Sequence, residues 1–178
     1  MIKSEVITLK PISKEDTDFI LALRNDLEIA DQFFSDPPVY DVEHESWLQV
    51  RNKTDLDFIV VLNETGERAG RIYINNVDYR NRKGEYGIVI HPDYRGRTLA
   101  FLSSELLLRY VFLNLPIKKI ILKVFSDNNK AINLYKKIGF IQEGYLKEDV
   151  YKNGSFKDVC MMAVFKDQWI ENKISKSQ

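Results

Sequence analysis

The residues with the clearest chemical potential lie in "HPDYRGRTLA", His91 to Ala100. Here two arginines and a glycine join an apolar run, "YGIVI", to a longer one, "LAFLSSELLLRYVFL". A helix starting near Thr98 leaves its first amides without intrahelical acceptors, and the aligned peptide dipoles add positive partial charge there. Gly96 lets the backbone approach a ligand closely or take a positive φ. Arg95 and Arg97 can add charge-assisted hydrogen bonds. The chemistry this permits is capture of a phosphate or another anion. Taken alone, the same residues also fit a basic surface turn. Neither GxxxxGK[ST] nor GxGxxG occurs, which excludes the nucleotide loops of those two kinds.

Other reactive groups are sparse. His44, His91 and the single Cys160 do not make a metal-ligand pattern, so no metal is expected. Cys160 lies in the alternating "DVCMMAVF" and is expected to be a passive, packed thiol. Lys plus Arg number 26 and Asp plus Glu number 26, so no excess charge exists to attract a phosphate backbone or an anionic membrane. No nucleic-acid or membrane partner is expected. No apolar stretch has the length of a membrane span or signal peptide, and a cytoplasmic location is expected.

The elements that must position these groups follow from hydrophobic periodicity. "EVITLKPI" reads as a strand, and Ser13 followed by Asp16 as the start of a helix with Phe19, Ile20, Leu23 and Leu27 on one face. The paired prolines of "FFSDPPVYD" demand an irregular loop, and "VEHESWLQV" fits a second short helix. "DFIVVLNETGERAGRIYI" reads as two strands about a turn, and "GEYGIVI" as a buried strand. From Thr98 the period becomes helical, with Leu99, Leu102, Leu106, Tyr110 and Leu113 expected on the core side. "KKIILKVF" is another strand. Asp127 or Asn128 then caps a helix carrying Ala131, Leu134, Tyr135 and Ile138 on one face, closed by Gly139. The last two strands form a hairpin over "KNGS". This order predicts one α/β domain with a mixed sheet over residues 1–170, and a frayed tail over 171–178.

The second strand-to-helix junction carries "NNKAINLYKKIGF". Together with "RGRTLA" it resembles the GNAT superfamily of acetyl-CoA-dependent N-acetyltransferases. The first segment is similar to the pyrophosphate motif Q/R-x-x-G-x-G/A. Asn128, Ala131, Leu134, Tyr135, Gly139 and Phe140 are similar to N-x-x-A-x-x-L-Y-x-x-x-G-F. Arg95 and Ala100 match the first motif, whose middle glycine is Thr98 here. Threonine at a helix start can cap the helix or meet a phosphate, while its β-branch can crowd the coenzyme. The C-terminal part resembles the branch of ribosomal-protein N-terminal and polyamine acetyltransferases. "LALRND" followed by "DPPVYDVEHESWL" is similar to relatives acting on amino-sugar nucleotides.

The resemblance implies a mostly antiparallel sheet splayed at the acetyl-CoA site. It implies that Ile88, Val89 and Ile90 meet the pantetheine and thioester, that Arg95, Gly96, Arg97, Thr98, Leu99 and Ala100 take the pyrophosphate, and that Asn128 and Lys137 complete the coenzyme contacts. It implies Tyr135 as the acid for the departing thiolate. Glu85 is the candidate base, acting directly or through water, with His44 as another candidate. On the acceptor side it implies Arg24, Asn25, Tyr40, His44 and Trp47. Asp31, Asp36, Asp41, Glu43 and Glu45 make that region acidic, which would favour a cationic amine such as a polyamine. The expected function is direct acetyl transfer to a primary amine of a small molecule, a polyamine or an amino-sugar nucleotide. N-terminal acetylation of a ribosomal or other protein, or coenzyme binding without catalysis, are the alternatives. A homodimer is expected.

Overall fold

Period-two runs of β-branched and aromatic residues build a sheet first, and the helices then close over its two faces. The computed structural model describes residues 1–51 and 53–175. The elements are β1 (Ile2–Lys3), β2 (Ile7–Pro11), α1 (Thr17–Asn25), α2 (Leu27–Ala30), α3 (Asp41–Val50), β3 (Leu56–Leu62), β4 (Arg68–Asp78) and β5 (Lys83–Ile90). They continue as α4 (Leu99–Asn114), β6 (Lys119–Phe125), α5 (Asn129–Ile138), β7 (Ile141–Lys152), β8 (Ser155–Phe165) and α6 (Lys166–Ser175). The strands form one sheet in the order β1-β2-β3-β4-β5-β6-β8-β7. Among the described residues only the β5–β6 pair is parallel; the rest are antiparallel.

Alternation divides the residues of the central strands between the two faces. Phe58, Val60, Ile72, Ile74 and Tyr86 point to one face, in one core with Leu107, Leu108, Val111 and Phe112 of α4. Arg71 and Tyr73 point the other way, toward α1 and α3. The core stripe of α4 differs from the expected one. Leu99, Ser103, Ser104, Leu107, Leu108, Val111 and Phe112 are buried, Leu102, Leu106 and Tyr110 sit at the margin, and Leu113 is 59% exposed. This helix is apolar nearly all round, so its leucines alone could not fix its rotation. Two serines belong to the core side. The Ser104 hydroxyl bonds the Ala100 carbonyl at 2.6 Å and meets the Tyr86 hydroxyl at 2.6 Å, which satisfies it without water.

Other local signals act as the chemistry requires. The Asn128 side chain caps α5 by accepting from the Ala131 amide at 3.0 Å, and Gly139 closes that helix at φ 119°. Asn153 and Gly154 both take positive φ in the β7–β8 turn, which matches the twist of the hairpin. Residues 171–175, expected as part of a frayed tail, instead complete α6; residues 176–178 lie outside the described residues.

The feature that positions the site is a limit on pairing. β5 pairs with β4 as far as Ile90, and β6 pairs with β8 as far as Phe125. Between β5 and β6, however, register exists only for Lys83–Lys119, Gly84–Ile120 and Glu85–Ile121. Beyond Glu85 the two strands diverge and leave a wedge-shaped slot.

Candidate active site

The slot exposes main chain. Ile88, Val89 and Ile90 lie on β5 beyond its last partner on β6, so the backbone groups on that edge are free to bond a ligand, as in β-strand addition. At the end of β5, the turn Pro92–Tyr94 leads to Arg95 and then to α4. Gly96 takes φ 79° there, with open space where a Cβ would be. The first helical bond of α4 runs from the Leu102 amide to the Thr98 carbonyl at 3.0 Å. The amides of Leu99, Ala100 and Phe101 therefore precede the helical ladder and form an anion-binding end. Arg97 stacks over the Tyr94 ring at 5.3 Å, and Lys137 lies over the Phe101 ring at 5.1 Å, beside the same helix start.

Thr98 sits at φ 59°, ψ 5°, in the left-handed region. A β-branched residue is strained there by about 1–2 kcal/mol. The backbone shape is thus the one a glycine adopts freely, and it persists despite the substitution. Its hydroxyl does not cap α4 but bonds the Arg97 carbonyl at 2.6 Å.

On the core side of the slot, Tyr135 of α5 packs edge-on to Tyr86, with ring centroids 6.0 Å apart, and against Phe140 at 5.8 Å. Burial first, and then the neighbouring Tyr73, push its hydroxyl well above the ordinary tyrosine range. It keeps its proton at neutral pH, as a proton donor must. Glu85 stands at the last position of β5 that pairs with β6, and its carboxylate accepts from the Asn76 side chain at 3.0 Å.

On the opposite face of β4 and β5 lies a cavity of about 240 Å³. Of the five expected acceptor residues, only Arg24 and Trp47 line it. Asn25 holds the following loop instead, bonding the Val39 carbonyl at 3.0 Å and amide at 2.7 Å. Tyr40 precedes α3 and is 61% exposed. His44 is buried, with its ring 5.3 Å from Trp47 and neither ring nitrogen bonded among the described residues. Burial, then Arg71 and Arg24, lower its pKa and keep it neutral.

Sequence reasoning missed Arg71, Tyr73 and Asn75 of β4, which also line the cavity. Their spacing of two on one strand was the signal available. Arg71 is locked to Asp57 by two bonds of 2.9 and 2.6 Å and lies 4.8 Å from the Trp47 ring and 4.9 Å from the Tyr73 ring. The Tyr73 ring in turn lies across Gly87, where a Cβ would come within 2.1 Å of Tyr73 Cζ.

Asp31, Asp36, Asp41, Glu43 and Glu45 are not among the residues that line the cavity. Asp31 accepts from Asn153 at 2.9 Å, Asp36 pairs with the buried Lys152 at 2.6 Å, and Glu43 accepts the Tyr40 amide at 2.9 Å. The segment around α2 also bridges the two halves of the site. Glu28 pairs with Arg95, and Gln32 accepts from Asn128 at 2.7 Å, while Ile29, Ala30 and Phe33 line the cavity.

Comparison with known proteins agrees with this geometry. Residues 7–141 match the family described as "Acetyltransferase (GNAT) domain". Spermidine N(1)-acetyltransferase of Escherichia coli is 28% identical over 172 residues, which cover 96% of this chain and 91% of that protein. The enzyme of the same name from Vibrio cholerae is 29% identical over 168 residues, 92% of this chain and 95% of the relative. A crystal structure of the Vibrio cholerae spermidine N-acetyltransferase with CoA and spermine superposes with a TM-score of 0.87 at 28% identity, covering 92% of this chain and 98% of that one.

Proposed function

The chain belongs to the acetyltransferase (GNAT) family, and we propose that this acetyl-CoA-dependent N-acetyltransferase acts on a primary amine of a small molecule. The observation that carries the reading is the β5–β6 pairing that stops at Glu85, with Tyr135 beside the opening and the α4 amides at its end. Bound acetyl-CoA supplies an acyl group already activated as a thioester. The β5 amides on the open edge, those of Ile88 and Ile90, stabilise the charge that grows on the carbonyl oxygen. Arg95 to Ala100 hold the pyrophosphate, and Asn128 and Lys137 extend that grip. Tyr135 gives its proton to the departing sulfur, and Glu85 accepts the amine's proton through water. No covalent enzyme intermediate is needed, because the leaving group is good.

The relatives named spermidine N-acetyltransferases support a polyamine as acceptor. Arg24 and Arg71 in the cavity wall support a second reading, an amino-sugar nucleotide. Thiol release from acetyl-CoA, measured across polyamines, amino-sugar nucleotides and N-terminal peptides, tests the proposal. Turnover with a small amine is expected; coenzyme binding without turnover on any amine would make the chain a binding protein. A homodimer is part of the proposal, supported by the exposed Tyr145, Tyr151 and Phe156 of the β7–β8 hairpin. Operation in the cytoplasm, apart from nucleic acid and membrane, is consistent with the balanced charge. Among the described residues, no helix is long and apolar enough to cross a membrane.

A further inference from the structure

The cavity beside the slot contains two guanidinium groups and they differ in one respect. Arg71 is neutralised by a two-point pair with Asp57 and held between Trp47 and Tyr73. Arg24, on α1, lines the same cavity, yet among the described residues no carboxylate lies within ion-pair distance of it. Glu43 attracts it only from further off. Burial, reinforced by repulsion from Arg71, lowers the pKa of Arg24, so its positive charge is held at a cost that a bound anion would remove. A polyamine would instead bring more positive charge to this wall. Among the described residues, none that lines the cavity is acidic.

Resting on the amine-acetylation reading above, we infer that the acceptor carries an anionic group, a phosphate or carboxylate, which Arg24 binds in the cavity while the amine reaches the slot beside Val89. Arg24 is then a positioning and specificity residue; it takes no part in proton transfer. Its planar fork suits both anions. Val89 lines this cavity and lies on β5 beyond its last partner on β6, and the Tyr73 ring lies across Gly87 between them, so the cavity adjoins the slot.

The test compares amines in matched pairs. 4-Aminobutyrate is set against 1,4-diaminobutane, and glucosamine 6-phosphate against glucosamine, with spermidine as the polyamine arm and the phosphate and carboxylate arms read separately. Acetyl transfer is measured for the native protein, Arg24→Gln and Arg24→Lys. Calorimetric binding to the CoA-saturated protein is measured in parallel. The anionic member of at least one pair is expected to bind and react about tenfold better or more, as a charge-assisted bond requires. Arg24→Gln removes that preference through KM rather than kcat, Arg24→Lys retains part of it, and CoA affinity is unchanged in both. Stronger binding of spermidine than of every anionic amine, insensitive to Arg24→Gln, overturns the inference. Absence of turnover with all amines strikes the acetyl-transfer reading, and the calorimetric comparison then decides on Arg24 by itself.

Discussion

Two regions meet at β5, and they are made of different material. On the slot side the contacts come from main chain: the unpaired edge beyond Glu85, the turn through Gly96 and the first amides of α4. On the cavity side they come from side chains of separate elements, Arg24 of α1, Trp47 of α3, and Arg71 and Tyr73 of β4. Backbone can bind a coenzyme common to many enzymes whatever the local sequence. Side chains set what is particular to this one. The segment around α2 touches both, through Glu28 at Arg95, Gln32 at Asn128, and Ile29 in the cavity.

Substitutions can break this division, beginning with the largest effect. Tyr135→Phe removes the proposed proton donor beside the slot; kcat is expected to fall about 100-fold or more with coenzyme affinity unchanged. An unchanged kcat would remove Tyr135 from the chemistry. On the cavity side, Arg71→Met leaves the Asp57 carboxylate, whose side chain is 1% exposed, without its partner. A loss of about 3–5 kcal/mol is expected in urea unfolding, largely recovered when Asp57→Leu is added. If the single variant is as stable as the parent, the pair does not organise the wall.

Smaller effects sharpen the comparison. Thr98→Gly should relieve the left-handed strain, offset in part by glycine's entropy, for a net gain under about 1 kcal/mol and a lower KM for acetyl-CoA. Destabilisation would show that the threonine side chain has a role beyond its backbone shape. Glu28→Gln frees Arg95 and should tighten acetyl-CoA binding by a few-fold at most, since an exposed pair contributes about 1 kcal/mol or less. Weaker binding would mean that Glu28 orients Arg95 for the coenzyme.

A pH scan adds a third view. Tyr73, Tyr86 and Tyr135 all have hydroxyls raised above the ordinary value of 10.0, chiefly by burial. The unfolded chain releases these protons first. Stability is therefore full below pH 10 and falls as the pH climbs above it, which denaturation midpoints at rising pH would show.

The same division explains what could be read from sequence. The succession of strands and helices along the chain, the Asn128 cap and the Gly139 stop are local and carried by residue type, so they were legible. The slot was legible too, because motif residues border it on consecutive strand-to-helix junctions. The rotation of α4 was not, because leucines surround that helix and Ser103 and Ser104 gave no apolar cue to its buried side. The cavity wall was half legible. Arg24 and Trp47 were found through resemblance, while Arg71 and Tyr73 read only as alternating positions of a strand. Their roles arise from Asp57 and Gly87, which pair with β4 from either side. The acidic run around Asp31 to Glu45 suggested a cationic acceptor; that Asp31, Asp36 and Glu43 also make folding contacts depends on tertiary partners and was not legible.

The most direct measurement is an amide-resolved NMR titration of the protein with acetyl-CoA. Binding in the slot shifts the amides of Ile88 and Ile90 and those of Gly96 to Phe101, with smaller changes at Asn128. Saturable binding that leaves β5 and the start of α4 unmoved, and shifts other surfaces instead, would contradict the placement of the coenzyme between β5 and β6.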